Sequence, residues 1–288
     1  MAESRSRTIA LWATTVAFGA YTVITSVFPA LISAGLNGVL TTVLLVAFAL
    51  LHGSAKYGNS GIAVFLVVCL VVSNILENLS IITGVPFGHY HYSSALGAKI
   101  FLVPVTIGGA YFGAGYLSWS VSLVLLGRSN QPIDAFARWA LPTIAAFLMA
   151  SWDFMLDPSA STIDQDWVWE NGGGFFGVPF QNYLGWLLTV FIFFSIFAGY
   201  AAMRRPAASR APARYPRRFW AQAIIMYALL GVRNLFAYFV PSANTRVVDA
   251  AGHVWMTHDI HETAALVAIF TIFAFSILAV LRLTDPKA

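Results

Sequence analysis

Asp153 and Asp157 stand four residues apart at the end of an apolar run that begins near Ala140. On a helix that spacing points both carboxylates to one face. Two acids held together away from water cannot easily both ionise, so one keeps a proton that it can deliver as a general acid. Glu77, in another apolar run, is a third acid of this kind. Asn78, Asn182 and Arg233 are polar groups that could orient the carboxylates. Plainer roles stay open: Asp157 could only end a helix before Pro158, and Arg233 could only neutralise Glu77 or Asp153.

The elements that must position these residues are membrane spans. Of 288 residues, 59% are hydrophobic and 10% charged, and the mean hydropathy is +0.75, far from the makeup of a soluble domain. One all-α transmembrane domain, residues 1–288, is expected. Segments long enough to cross the hydrocarbon run over about 9–31, 35–52, 61–83, 100–126, 136–157, 179–203, 218–240 and 260–282. These make about eight helices, the second interrupted by Asn37, Gly38 and His52; the first is too long for a signal-peptide core. With a cytoplasmic N-terminus, 13 basic residues fall on one side (Arg5, Arg7, Lys56, Arg128, Arg138, Arg204, Arg205, Arg210, Arg214, Arg217, Arg218, Arg282, Lys287) and two, Lys99 and Arg246, on the other. The asymmetry puts both termini in the cytoplasm and the protein in the inner (plasma) membrane as a multi-pass chain. It also accounts for the formal charge of +4 without nucleic acid, the basic stretch 204–218 becoming a cytoplasmic loop near anionic lipid. The one cysteine, Cys69, allows neither an intramolecular disulfide nor a cysteine-based metal site. No internal repeat stands out.

With that topology, most acids and five of the six histidines collect at the outer ends of the helices. Ionisable groups inside a span are costly and mark functional sites by default. "GHYHY" (88–92) and "HDIHE" (258–262) invite a metal reading. Their HxH and HxxH spacings, on the outer side, differ from the repeated boxes of membrane di-iron oxygenases, so no metal is assigned. His89 and His91 are kept as substrate contacts. "NGGGFFGVPF" (171–180) lacks the lysine and the preceding strand of a phosphate loop and reads as an interfacial turn, its phenylalanines dipping into the membrane. Trp167, Trp169, Tyr183 and Trp186 fit an aromatic belt.

"GVPFGHYHYSSALG" (84–97), "DFMLDPSA" (153–160) and "WVWENGGGFFGVPFQNYLGW" (167–186) resemble the CruF-type carotenoid 1,2-hydratases of C40 and C50 carotenoid biosynthesis. The likeness covers about a third of the chain, from the third to the sixth span. It implies an enzyme that adds water across the terminal C1,C2 double bond of an acyclic carotenoid end group, giving a tertiary alcohol. Hydration is redox-neutral, so no cofactor is implied; the partners are a hydrophobic carotenoid, water and lipid.

An isolated trisubstituted alkene is a very weak base, so its hydration needs a strong acid, shelter for a tertiary cation and one admitted water. Asp153 or Asp157 is the expected donor, with the other carboxylate or Glu77 as base. Trp152, Phe154, Tyr90 and Tyr92 could stabilise the cation through their ring faces. Two other classes remain: a metal-dependent lipid or carotenoid oxygenase or desaturase using His258 and His261, and a non-catalytic binding or transport protein. No paired interrupted helices in matching halves support transport. The sequence sets neither the carotenoid nor the oligomeric state.

Overall fold

The computed structural model describes residues 5–204, 215–240 and 242–285, apart from the side chain of Ala34. Glu3, Arg205, Arg210, Arg214, Lys287 and most of the basic stretch lie outside the described residues. Helix α1 (Arg5–Val27) passes through a short turn (Pro29–Leu31) into α2 (Ala34–Thr83), an element of 50 residues. Gly58 interrupts α2 with φ 72° and ψ 168°, a backbone that L side chains rarely adopt. The chain doubles back there: a methyl group on Gly53 would lie 2.3 Å from Cδ1 of Ile62. Nine residues along a straight helix would separate these positions by about 13 Å. Helix α2 is therefore a hairpin of two arms.

A loop with short strands β1 (Tyr90–Tyr92), β2 (Lys99–Ile100) and β3 (Val103–Pro104) leads to α3 (Val105–Leu125). Both arms of α2 pack on this helix, Leu45 of the first against Gly113 and Leu70 of the second against Gly108. Every residue of α3 from Tyr111 to Val124 is buried. Small residues at such seams let backbones approach closely, which is how helices associate where no water is present to drive them together.

Helix α4 (Ala137–Asp157) runs into a π-turn (Pro158–Ile163), followed by β4 (Trp167–Trp169), α5 (Phe180–Met203) and α6 (Arg217–Phe239). The hairpin β5 (Arg246–Val248) and β6 (Val254–Met256) precedes α7 (Thr257–Val267), joined by a second π-turn (Ala268–Phe273) to α8 (Ala274–Thr284). Among the described residues, six helices are long and apolar enough to cross a membrane: Arg5–Val27, Gly35–Thr83, Ala137–Ile163, Phe180–Met203, Arg217–Phe239 and Thr257–Thr284. Eight are expected from the sequence. The difference has two sources: α2 counts once although it folds on itself, and α3, diluted by glycine and serine, falls outside the set.

Local chemistry builds the floor of the site. Gly84 ends α2 in the left-handed conformation (φ 78°), donating its N–H to the Ser80 carbonyl. The Ser80 hydroxyl accepts from Phe87 N and donates to Gly88 O, both at 2.9 Å, and so ties the loop to the helix. Helix α5 rides directly on this loop, because a Cβ on Gly185 would come within 2.7 Å of the Phe87 ring. Phe87, Tyr90, Tyr92, Val103, Trp169 and Val178 form a second, smaller core here, beside the main one within the bundle.

Candidate active site

Strands β1 and β4 pair antiparallel, with Tyr90 opposite Trp169 and Tyr92 opposite Trp167. Alternate residues of a strand share a face, so "YHY" and "WVW" turn two tyrosines and two tryptophans one way and His91 and Val168 the other. The tyrosines reach Glu77. Its carboxylate accepts hydrogen bonds from Tyr90, from Tyr92 at 2.9 Å and from Tyr111 of α3 at 2.6 Å. Burial, followed by the Glu77 charge, pushes the Tyr90 and Tyr92 hydroxyls well above the usual phenol range, so both stay donors.

The tryptophans reach Asp157. Its Oδ1 accepts from Trp167 Nε1 at 2.7 Å and from Trp169 Nε1 at 3.3 Å. Asn182, in the first turn of α5, donates from one Nδ2 to Asp157 Oδ2 at 2.7 Å and to Asp153 Oδ2 at 3.0 Å. The two aspartates, one helical turn apart on α4, are thus bridged by a single amide nitrogen. All three acids are buried, yet among the described residues none has a lysine, arginine or histidine within ion-pair distance. Their nearest polar partners among the described residues are hydrogen-bond donors.

The three acids line one cavity of about 460 Å³, bordered by residues of helices α1 to α7 and of the β1–β4 ribbon. That volume suits a small-molecule site. Aromatic rings wall it: Trp186 stacks on Tyr111 at 4.6 Å, Trp152 meets Trp186 edge-on at 6.2 Å, and Tyr90 tilts over Trp169 at 4.8 Å. Asp164, Asp166, Arg233, Asn234 and His261 form a charged side of its lining. Burial raises Asp164 above the ordinary carboxylate range against the pull of Arg233 and His261. Burial and then the Asp164 charge push Asp166 up to about 6.

Of the residues singled out in the sequence, Glu77, Asp153, Asp157, Tyr90, Tyr92, Trp152, Asn182 and Arg233 come together around this cavity. Asn78 does not; its amide donates to Asn74 O at 2.7 Å and accepts from Leu102 N at 2.9 Å, bracing the loop before α3. Phe154 stacks on Phe175 at 4.6 Å and lines a separate apolar groove with Tyr183. His89 is exposed beside Gly84, and His91 is exposed 3.4 Å from Glu170. In "HDIHE", His261 reaches the cavity while His258 is exposed beside the Tyr238 ring. Among the described residues, no three His, Cys, Asp or Glu side chains are grouped to hold a metal ion. In the glycine run, Phe175 and Phe176 pack inward on Phe154 and Trp255, whereas Phe180 is exposed.

Among the cavity residues not picked as site residues are four aromatic ones beside the acids: Tyr111, Trp167, Trp169 and Trp186. For the two strand tryptophans the signal was present, since Trp-x-Trp matches Tyr-x-Tyr in period and both flank the acid pair in sequence. Nothing local marks Tyr111, which lies in a helix buried on every side.

A profile of the family described as carotenoid biosynthesis protein matches residues 35–252. Among curated proteins, the bisanhydrobacterioruberin hydratase of Haloarcula japonica is 34% identical over 119 residues, which is 40% of this chain and 37% of that protein. The similarity therefore spans little more than a third of that relative's length. No solved structure matches the chain. Since the profile runs from the first arm of α2 through the β5–β6 hairpin, well over half the sequence, this chain belongs to the carotenoid biosynthesis protein family.

Proposed function

We propose that this protein is a carotenoid hydratase that adds water across the C1,C2 double bond of an acyclic carotenoid end group. The observation that carries this is the cavity itself: three buried acids with no ion-pair partner among the described residues, walled by aromatic rings. Family membership and the name of the haloarchaeal relative support the substrate class and the reaction. Asp157, with three N–H donors on its two oxygens, is matched to the acceptor-only carboxylate form. Asp153 receives only the shared Asn182 N–H and keeps an oxygen for a proton.

In this scheme the Asp153 carboxyl gives its proton to C2, forming a C–H bond and leaving a tertiary cation at C1. The ring faces of Tyr111, Trp152 and Trp186, with the negative charge of Glu77 behind the tyrosines, stabilise that cation. A water oxygen bonds to C1, and its surplus proton passes to the Asp157 carboxylate. Proton transfer from Asp157 to Asp153, its neighbour one helical turn away, restores the starting state, with Asn182 holding the two carboxyl groups in place. No redox partner enters, because nothing is oxidised or reduced.

The same proposal sets the chain in the plasma membrane. The two arms of α2 and the enclosed α3 are then separate crossings, which makes eight, with both termini cytoplasmic and the acids toward the outer side. The test is expression in a lycopene-producing bacterium grown in heavy-oxygen water, with the pigments analysed by mass spectrometry. Products one or two waters heavier than lycopene, carrying the label, are expected. Oxygen drawn from dioxygen, or unchanged lycopene with a correctly inserted protein, would refute hydration of this substrate.

A further inference from the structure

The proposed reaction needs one end group of an acyclic C40 polyene at the acids. The rest of the polyene then runs along the cavity of about 460 Å³ toward one of its open sides. Asp164, Asp166, Arg233, Asn234 and His261 line part of the cavity, groups a hydrocarbon would strip of water at a cost. Where α1 meets the first arm of α2, the Tyr21 hydroxyl donates to the side chain and the carbonyl of Asn37. There the Thr25 and Ser26 hydroxyls donate to their own helix, at 2.9 Å to Tyr21 O and 2.6 Å to Thr22 O. Such back-bonding satisfies these hydroxyls within α1. Pro29, Gly38 and Val39 line the cavity here and are also exposed, Val39 by 41%. A Cβ on Gly38 would meet nothing within 4 Å.

We propose that the isoprenoid body of the substrate runs from the acids along the seam between α1 and the first arm of α2, and enters the bilayer past Gly38 and Val39. The seam is continuous with the acid chamber and joins it to the exposed surface of helices that are apolar enough to cross a membrane. The proposal rests on the hydratase reading for the identity of the chain, and its test separates the two.

Gly38 is open enough to take a large side chain without disturbing the helix, so Gly38→Trp plugs the seam and Gly38→Ala serves as the small control. Purified wild type and both variants are assayed with lycopene and with a short acyclic terpene ending in the same dimethyl-substituted alkene. The expected result is a fall of about tenfold or more in the long-to-short ratio of kcat/KM for Gly38→Trp, with Gly38→Ala near wild type. An unchanged ratio, whether both rates fall or neither does, overturns the path. If the wild type hydrates neither compound, the reaction assignment fails by itself, and the path is judged by the lycopene absorbance that co-purifies. Loss of that absorbance in Gly38→Trp at equal protein yield upholds the seam, and its retention overturns it.

Discussion

His52 and the Asp153–Asp157 pair are equally hidden from solvent, and their surroundings are opposite. Both nitrogens of His52 are engaged, Nδ1 with the Tyr116 hydroxyl at 2.6 Å and Nε2 with the Phe219 carbonyl at 2.9 Å. Its ring is sandwiched between Phe48 and Phe219 at 5.1 and 3.7 Å. A neutral imidazole with both positions satisfied in close aromatic packing is a structural pin. The aspartates instead share one amide donor, face a cavity and make no ion pair among the described residues. Burial alone says little about function; the number of partners, and the empty space beside them, decide.

Neutral replacements break the comparison most sharply. Asp153→Asn and Asp157→Asn are each expected to lower hydration by about 10² to 10⁴, the range of general acid-base catalysis, while the protein still inserts and folds. Product mass against protein yield measures this. Next comes Asn182→Leu, which removes the bridge. Hydration is expected to fall by about tenfold to a hundredfold, with deuterium from heavy water still washing into recovered substrate, because the cation forms and then loses a proton. Parallel loss of exchange and hydration would reduce Asn182 to a packing residue.

His52→Leu tests the other half. It takes the His52 partner from the buried Tyr116 hydroxyl and is expected to cost about 1–3 kcal/mol. Thermal unfolding in detergent reports the loss, and turnover per folded molecule stays within about twofold of wild type, as a structural pin requires. The smallest effect belongs to the charged side of the cavity. Asp166, pushed up to about 6 by burial and by the Asp164 charge, holds its proton more tightly in the folded chain than in the unfolded one. Its contribution is therefore present at low pH and lost as pH rises from about 4 to about 6. The unfolding midpoint of the wild type should fall more between pH 4 and pH 7 than that of Asp166→Asn.

Much of this site is legible in the sequence because it is local. Four-residue spacing brings Asp153 and Asp157 together, and the period of a strand aims Tyr90 and Tyr92 inward and His91 outward. Reading "GHYHY" as a histidine motif hides that alternation: the tyrosines line the cavity and the histidines stay outside. What local pattern does not carry is pairing across the chain. Tyr111 meets Glu77 across 34 residues and Asn182 meets Asp153 across 29, contacts fixed by helix packing. The hairpin in α2 lies between these cases. Glycine at position 58 is visible at once, but the reversal becomes certain only when Ile62 is seen against Gly53.

That hairpin gives the chain a modular character. Gly38, at the proposed exit, and Glu77, at the proposed reaction centre, lie on its two arms within one continuous stretch, residues 34–83. On that proposal, accommodation of the substrate body and the anchoring of the tyrosines are inherited together. Recombination or grafting between relatives that exchanges this stretch would carry both traits as one unit, leaving the aspartates of α4 to be matched to whatever tyrosine frame arrives.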